Sequence, residues 1–402
     1  KSYVCTEKAK ASQCKARVHL KGDKKVRGPV PDHVHPPDHG KIEAAIALSD
    51  LKERAKHTYE PTSRIVQAAK RKLPEEAIVH LPKDDSLRRT AKRVRGKARP
   101  AEPRGLQELD DLPGRYKLDD DGKKWFLGDN KDNRSRCLVF CPEECLLRLS
   151  QSSYWIMDGT FKTSPSIFTQ IYVIHGQVYG TWVPLAFSLM AKKNRAGYTF
   201  LFNTLIKSGQ EKYGRRLTPQ FIGVDFESVV INLIGELFPE SRVAGCLFHL
   251  TQIFWRVLQR SGLVEVYKTN EDVRKSFRAV CGLALVPVED VPECFRIWKT
   301  NAPTAMAPLV QHVEEVYVLG KRWGRGRRQP QYPPPVWNST ERVQDGKPRT
   351  SNTAEGWNNR LRVLLGKHHP SLYEFLDSMK LEMSDAKKTF LQNAYGRSPP
   401  KK

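Results

Sequence analysis

Between residues 154 and 260 the spacing of apolar positions changes period several times. Residues 154–158, Tyr-Trp-Ile-Met-Asp, and residues 168–174 and 178–189 are apolar runs rich in aromatic and β-branched side chains, the pattern of buried strands. His175-Gly176-Gln177 supplies turn residues between the second and third runs, which predicts an antiparallel three-stranded meander. Residues 198–213 switch to helical spacing. Residues 221–225, Phe-Ile-Gly-Val-Asp, form another apolar strand ending in an acid, and residues 228–237 read as a helix. Residues 242–248 read as a fifth strand, leading into a helix over 249–258. Three antiparallel strands followed by strand–helix units predict an α/β fold around one sheet.

The flanks have other patterns. Residues 41–73 carry apolar positions at helical spacing, broken at Pro61-Thr62-Ser63, and predict a helical hairpin. Residues 88–99 hold seven basic residues in twelve and no acid, between Pro82 and Pro100, which reads as a solvated linker with an import signal or a phosphate-binding arm. Residues 125–127 and 137–140 read as short strands, and Pro142 with Glu143 and Glu144 opens a helix. Cys137, Cys141 and Cys145 are expected to be buried free thiols. Residues 263–335 read as a helical insertion. Residues 321–349 hold eight basic and two acidic residues with Trp323, Tyr332 and Trp337 interleaved, a composition suited to phosphate and unstacked-base contacts as well as to a flexible surface loop. A helix is expected to follow Thr350-Ser351-Asn352-Thr353, with Glu355 in its first turns.

Length and charge narrow the picture. A chain of 402 residues should hold two or three domains, and 68 basic against 44 acidic residues, net +24, imply a polyanionic partner, with nucleic acid the natural candidate. No apolar run is long enough to cross a bilayer. Eight irregularly spaced cysteines suit a reducing compartment, and the nucleus fits both observations. The first residue is Lys1, not Met, which suggests a fragment.

Two sets of residues carry candidate chemistry. Cys5, Cys14, His33 and His35, spaced C-x8-C-x18-H-x-H, are the ligand set of a closed tetrahedral zinc site, whose metal would supply folding energy to a segment too short for a core. Tyr3-Val4-Cys5, then Cys14-Lys15-Ala16-Arg17-Val18-His19, then Asp32-His33-Val34-His35-Pro36 resemble the back portion of a FLYWCH-type zinc finger, a DNA- or protein-binding module. The expected first strand, with its Phe-Leu, is absent ahead of Lys1, so the resemblance is to a partial finger.

Asp158 and Asp225 each end an apolar strand, and Glu355 follows on a helix. Three acids suffice to hold two Mg²⁺ ions for phosphoryl transfer, because this hard cation prefers carboxylate oxygen and retained water. Asp158-Gly159-Thr160-Phe161, Val224-Asp225-Phe226-Glu227, Gly245-Cys246-Leu247-Phe248-His249-Leu250 and the run from Thr350 through Glu355 to Leu361 resemble a MULE-type (Mutator-like element) transposase domain over residues 150–366. The resemblance implies a DDE-type, RNase H-like catalytic core with a helical insertion before the glutamate, preceded here by the finger (residues 1–40) and a helical and basic region (41–115). The core's first part would span 116–262, the insertion and basic loop 263–349, and the catalytic helix and end of the core 350–390. It also implies Asp158, Asp225 and Glu355 as the triad for Mg²⁺ or Mn²⁺, and Cys246 and His249 as the family's C-x2-H motif.

Cys246 and His249 are open to three readings: half of a zinc site, packing at a strand–helix junction, or a histidine near the scissile phosphate. Glu227 more naturally begins the next helix than joins the site. The expected partner is duplex DNA, both terminal repeats and target, bound by a homo-oligomer. Arg88, Arg89, Lys92, Arg93, Arg95, Lys97 and Arg99, with Arg325, Arg327, Arg328 and Trp337, are the candidate contacts. The rival function is a host-adopted DNA-binding protein without catalysis. A nuclease acting on RNA–DNA hybrids fits the large insertion and the extra binding module less well.

Overall fold

The computed structural model describes residues 2–5, 13–21, 24–25, 32–58 and 60–395, and the chain divides into two compact units, Lys1–Arg99 and Pro100–Lys402. The first unit opens with an antiparallel ribbon of β1 (Ser2–Val4), β2 (Arg17–Lys21) and β3 (Lys24–Lys25). Helices α1 (His39–His57), α2 (Thr62–Lys70), α3 (Glu75–Ile78) and α4 (Asp84–Ala98) follow. Asp38 caps α1 by accepting from the Lys41 N–H.

The basic run, expected as a linker, lies on helix α4. Leu87 and Ala91, one turn apart, are buried with Leu51, Ala55, Ile65 and Val66 in a small core, while Asp84 and Asp85 occupy the first turn and Arg95 and Lys97 the last, as the helix dipole favours. Two apolar positions at helical spacing outweigh a composition that otherwise favours solvent.

In the second unit, short helix α5 (Gly114–Lys117) precedes β4 (Phe126–Asp129), β5 (Cys137–Phe140) and α6 (Glu143–Gln151). Then come β6 (Tyr154–Thr160), β7 (Gln170–Val178), β8 (Thr181–Met190), α7 (Arg195–Tyr213), β9 (Phe221–Val224), α8 (Ser228–Leu237), β10 (Arg242–Gly245) and α9 (Leu247–Arg260). Among the described residues these strands form one mixed sheet in the order β10-β9-β6-β7-β8-β5-β4. β6, β7 and β8 are antiparallel, and β9 and β10 run parallel to β6 and to each other. The turn between the meander's second and third strands is not at residues 175–177. His175 and Gly176 continue β7, and the chain reverses at Tyr179-Gly180, whose φ values of +49° and +78° suit a two-residue hairpin. Pro184, inside β8, sits opposite His175 where the β7–β8 register shifts, the kind of irregularity a donor-less residue requires.

Cys137, Cys141 and Cys145 are buried free thiols, as their spacing around Pro142 suggests. Beyond α9, the insertion holds α10 (Val264–Thr269), α11 (Glu271–Gly282), α12 (Val291–Asn301) and α13 (Ala307–Val313), the last continued by a π-helical turn over Glu314–Val318. A hairpin of β11 (Arg322–Trp323) and β12 (Gly326–Arg327) and short helices α14 (Pro334–Trp337) and α15 (Thr340–Gln344) lead to α16 (Asn352–Leu365) and α17 (Leu372–Ala394). Phe187 of β8 meets Phe375 of α17, and Phe202 of α7 meets Phe238 after α8, all buried against the sheet.

Candidate active site

The register of β6 against β9 builds this site. Tyr154, Trp155 and Ile156 lie opposite Phe221, Ile222 and Gly223. Carried two residues further, the same register sets Asp158 beside Asp225. β6 does not stop at Asp158 but runs on through Gly159 and Thr160, with Asp158 opposite Val173 of β7, so this carboxylate is anchored on a paired backbone. Only 8% of Asp158 is exposed. Burial first, and the neighbouring charge of Asp225 second, push its pKa up to about 7. Asn358 Nδ2, from α16, donates to Asp158 Oδ2 at 2.6 Å.

Asp225 faces a cation. His249 Nδ1, in the first turn of α9, lies 2.8 Å from Asp225 Oδ1. Burial opposes the imidazolium, yet Asp225 and Cys246 outweigh it and raise the His249 pKa to about 10. Glu227 turns away from this pair: its carboxylate accepts from Tyr198 Oη at 2.9 Å and from Lys193 Nζ at 2.5 Å.

Cys246 is a junction residue. It follows β10, its N–H donates to Val224 O at 3.1 Å, and its Sγ accepts from the Ser351 N–H and meets Ser351 Oγ, both at 3.3 Å. Ser351 is the N-cap position of α16. The sulfur therefore fixes where the Glu355 helix begins, and Leu247 N–H to Arg349 O at 3.0 Å and Tyr154 Oη to Pro348 O at 3.1 Å hold the same segment. Glu355 is half-buried, one turn before Asn358 on α16. Residues three apart share a helix face, so Glu355 lies on the face that Asn358 turns to Asp158. Both Asn358 and Ser351 lie in the run from Thr350 to Leu361, but their contacts to Asp158 and Cys246 are not legible there, although Asn358's spacing of three from Glu355 is a visible signal.

Among the described residues, the group of Cys, His, Asp or Glu whose ligand atoms all lie within 4.8 Å of one another is Cys5, Cys14, His33 and His35. The three acids do not meet that spacing. Cys5 Sγ is 3.2 Å from His35 Nε2, Cys14 Sγ 3.5 Å from His33 Nδ1, and the two ring nitrogens are 3.2 Å apart. Metal bonds of about 2.0–2.3 Å give tetrahedral edges of roughly 3.3–3.8 Å, so the set can hold an ion such as zinc. His35 Nδ1 lies 2.9 Å from Pro36 O, which fixes the tautomer that leaves Nε2 for a metal. The Ala16 N–H, the largest influence, helps lower the Cys14 pKa to about 6.

The other candidates scatter. Arg88, Arg89, Lys92, Arg93 and Lys97 are exposed on α4, and Arg99 half-exposed at its end. Arg95 donates to Ala55 O and Glu60 O, bracing the helical hairpin. Arg325 and Arg328 are exposed, whereas Arg327 pairs with Glu314. Trp337, expected to meet DNA, is instead buried, its Nε1 donating to Tyr317 O and Tyr332 O. An indole with its N–H satisfied by two backbone carbonyls is a core residue.

Residues 154–253 match the MULE transposase domain. The match contains Asp158, Asp225, Cys246 and His249 and ends before Glu355, and it supports a MULE-type transposase. No curated protein matches the chain.

Proposed function

We propose that the chain is a DDE-type DNA transposase, with an RNase H-like core, that cleaves at element ends and joins the freed 3′-hydroxyl to target DNA in the nucleus. The observation that carries this reading is the parallel β6–β9 register, which sets Asp158 beside Asp225, with the Glu355 helix docked on Asp158 through Asn358. Two adjacent carboxylates, one buried and raised to a pKa of about 7, form a site whose repulsion a divalent cation would relieve. Asp158, Asp225 and Glu355 would hold Mg²⁺ or Mn²⁺. Metal bound by these acids would supply Lewis acidity toward phosphate oxygens and toward the attacking oxygen. Asn358 orients Asp158, and His249 pairs with Asp225. Cys246 keeps the start of α16 in register with the strands.

Cys5, Cys14, His33 and His35 would bind zinc in a FLYWCH-type finger, and this module, with α4, would supply duplex contacts through Arg88, Arg89, Lys92, Arg93 and Lys97. A homo-oligomer would pair the two element ends. The test is Mg²⁺-dependent cleavage of terminal-repeat DNA beside a binding measurement. Asp158→Asn, Asp225→Asn and Glu355→Gln should each abolish cleavage and leave binding nearly intact, because an amide keeps the shape and loses the charge that holds the ion. Cleavage persisting in all three variants would sink the assignment. Wild-type protein that binds and never cuts would favour the host-adopted binding protein.

A further inference from the structure

The insertion carries an exposed feature that the carboxylate site does not use. Residues 321–329 are all exposed, and in their midst β11 and β12 pair Arg322 with Arg327 and Trp323 with Gly326. Gly324, with φ of +55°, takes the first central position of the two-residue turn, where a left-handed residue is needed. The ribbon is firmly based. Arg328 N–H donates to Lys321 O at 3.0 Å, and Arg327 donates to Gly320 O at 2.8 Å and to Glu314 at 2.6 Å. A side chain at Gly320 would meet Arg328 O at 1.8 Å, so the strands close there only on glycine.

Trp323 is 65% exposed, while the other tryptophans of the chain are buried or half-buried. The Arg328 guanidinium lies over its ring, 3.5 Å from the centroid. Lys321, Arg322, Arg325, Arg327 and Arg328 give this stretch five cations and no acid. The segment after the ribbon returns to the candidate site, where Tyr332 Oη donates to Phe226 O at 2.8 Å and the Phe226 ring packs edge-on against Tyr317 and Tyr332. Phe226 is the residue after Asp225, so the ribbon springs from a scaffold fixed to the site.

We propose that this hairpin is a platform for an unpaired DNA base: Trp323 stacks on the base with Arg328 behind it, and Arg322 and Arg325 hold the flanking phosphates. A ring kept in water between cations has no role in packing, and an aromatic face among arginines is the chemistry that grips unstacked bases on a phosphate backbone. The proposal rests on the reading of the chain as a DNA-processing enzyme and names the part of the substrate that the insertion contacts.

The experiment uses the full chain in EDTA, where no cleavage intervenes, and fluorescence anisotropy. The probes are a labelled duplex, the same duplex with a mismatched bubble, and the bubble probe made as RNA. Wild type should prefer the DNA bubble over the duplex by about tenfold or more, the scale of one base–aromatic stack. Trp323→Ala should lose that preference while keeping duplex affinity, and Trp323→Phe should retain most of it. Replacing Arg322, Arg325 and Arg328 together by Gln should weaken binding to both DNA probes and flatten the salt dependence by a slope of about 2 to 3, from roughly 0.9 per phosphate. An undiminished preference in Trp323→Ala, or equal wild-type binding to duplex and bubble, overturns the platform and leaves the transposase reading standing. Tighter binding of the RNA probe overturns the assignment to DNA. A wild-type chain that binds no DNA probe overturns the transposase reading itself.

Discussion

The Cys/His cluster and the carboxylate site both have the makings of a metal centre, and they differ in how far the protein alone completes them. At the cluster, two sulfurs and two ring nitrogens already lie 3.2–3.5 Å apart in neighbouring pairs, near the edges of a tetrahedron. At the carboxylate site the acids are turned to protein partners, Asp225 to His249 and Asp158 to Asn358. Neutral imidazoles and polarisable thiols tolerate crowding, whereas buried carboxylates repel one another and gather closely only around a cation. The contrast suggests different work for a metal in each place: holding a short segment folded in the first, and chemistry on a scaffold already folded in the second.

The largest expected effect breaks the comparison if it fails. Structural zinc sites carry on the order of 10 kcal/mol of folding free energy. The full chain should therefore bind one zinc, lose it on Cys14→Ala, and then lose hydrogen-exchange protection at residues 13–21, with the sheet unaffected. Full protection after chelation would show that the segment folds without metal.

A smaller effect concerns Asp158, whose folded pKa of about 7 stands above the unfolded value of 3.8. The unfolded chain ionises first, so this carboxyl subtracts stability progressively as pH rises from about 4 to about 7 and fully above that. At about 1.4 kcal/mol per pH unit the interval caps the loss at about 4 kcal/mol. Asp158→Asn should accordingly raise the metal-free Tm at pH 8 and leave it unchanged near pH 4, and Mg²⁺ should raise the wild-type Tm at pH 8 and not that of the variant. A Tm gain equal at both pH values would place the cause elsewhere.

The smallest concerns Asn358. Residues that orient a metal ligand typically contribute about 10–100-fold to metal affinity or activity. Asn358→Ala should raise the Mg²⁺ concentration needed for half-maximal cleavage by that factor, and DNA affinity should hold. An unchanged Mg²⁺ requirement would reduce the 2.6 Å contact with Asp158 to packing.

Much of this site is legible in the chain because burial on both sides of a strand leaves a strong apolar run, and an acid that ends such a run stands out. Tyr154 to Met157 and Phe221 to Val224 are of this kind, and each leads into its aspartate. Trp337 and α4 are the opposite case. Trp337 sits among arginines and prolines, and its burial depends on Tyr317, twenty residues earlier, and Tyr332. In α4 six cations mask Leu87 and Ala91, whose burial depends on α1 and α2. The turn at Tyr179-Gly180 was hidden by the more obvious His175-Gly176, because local turn propensity says nothing of which residues the neighbouring strands will pair.

By itself the sequence determined which residues have the chemistry to act: the strand-end acids, the Cys/His set, the cationic stretches and the periods of the strands and helices. These follow from side-chain type and local spacing, which a linear chain carries in full. Only the tertiary structure decided that Asp225 meets His249, that Cys246 pins the start of the Glu355 helix from 105 residues away, and that Trp323 stands in solvent while Trp337 is buried. Those outcomes depend on parallel register and on long-range closure, where the neighbour that satisfies a polar atom or covers a ring is contributed by a distant part of the chain.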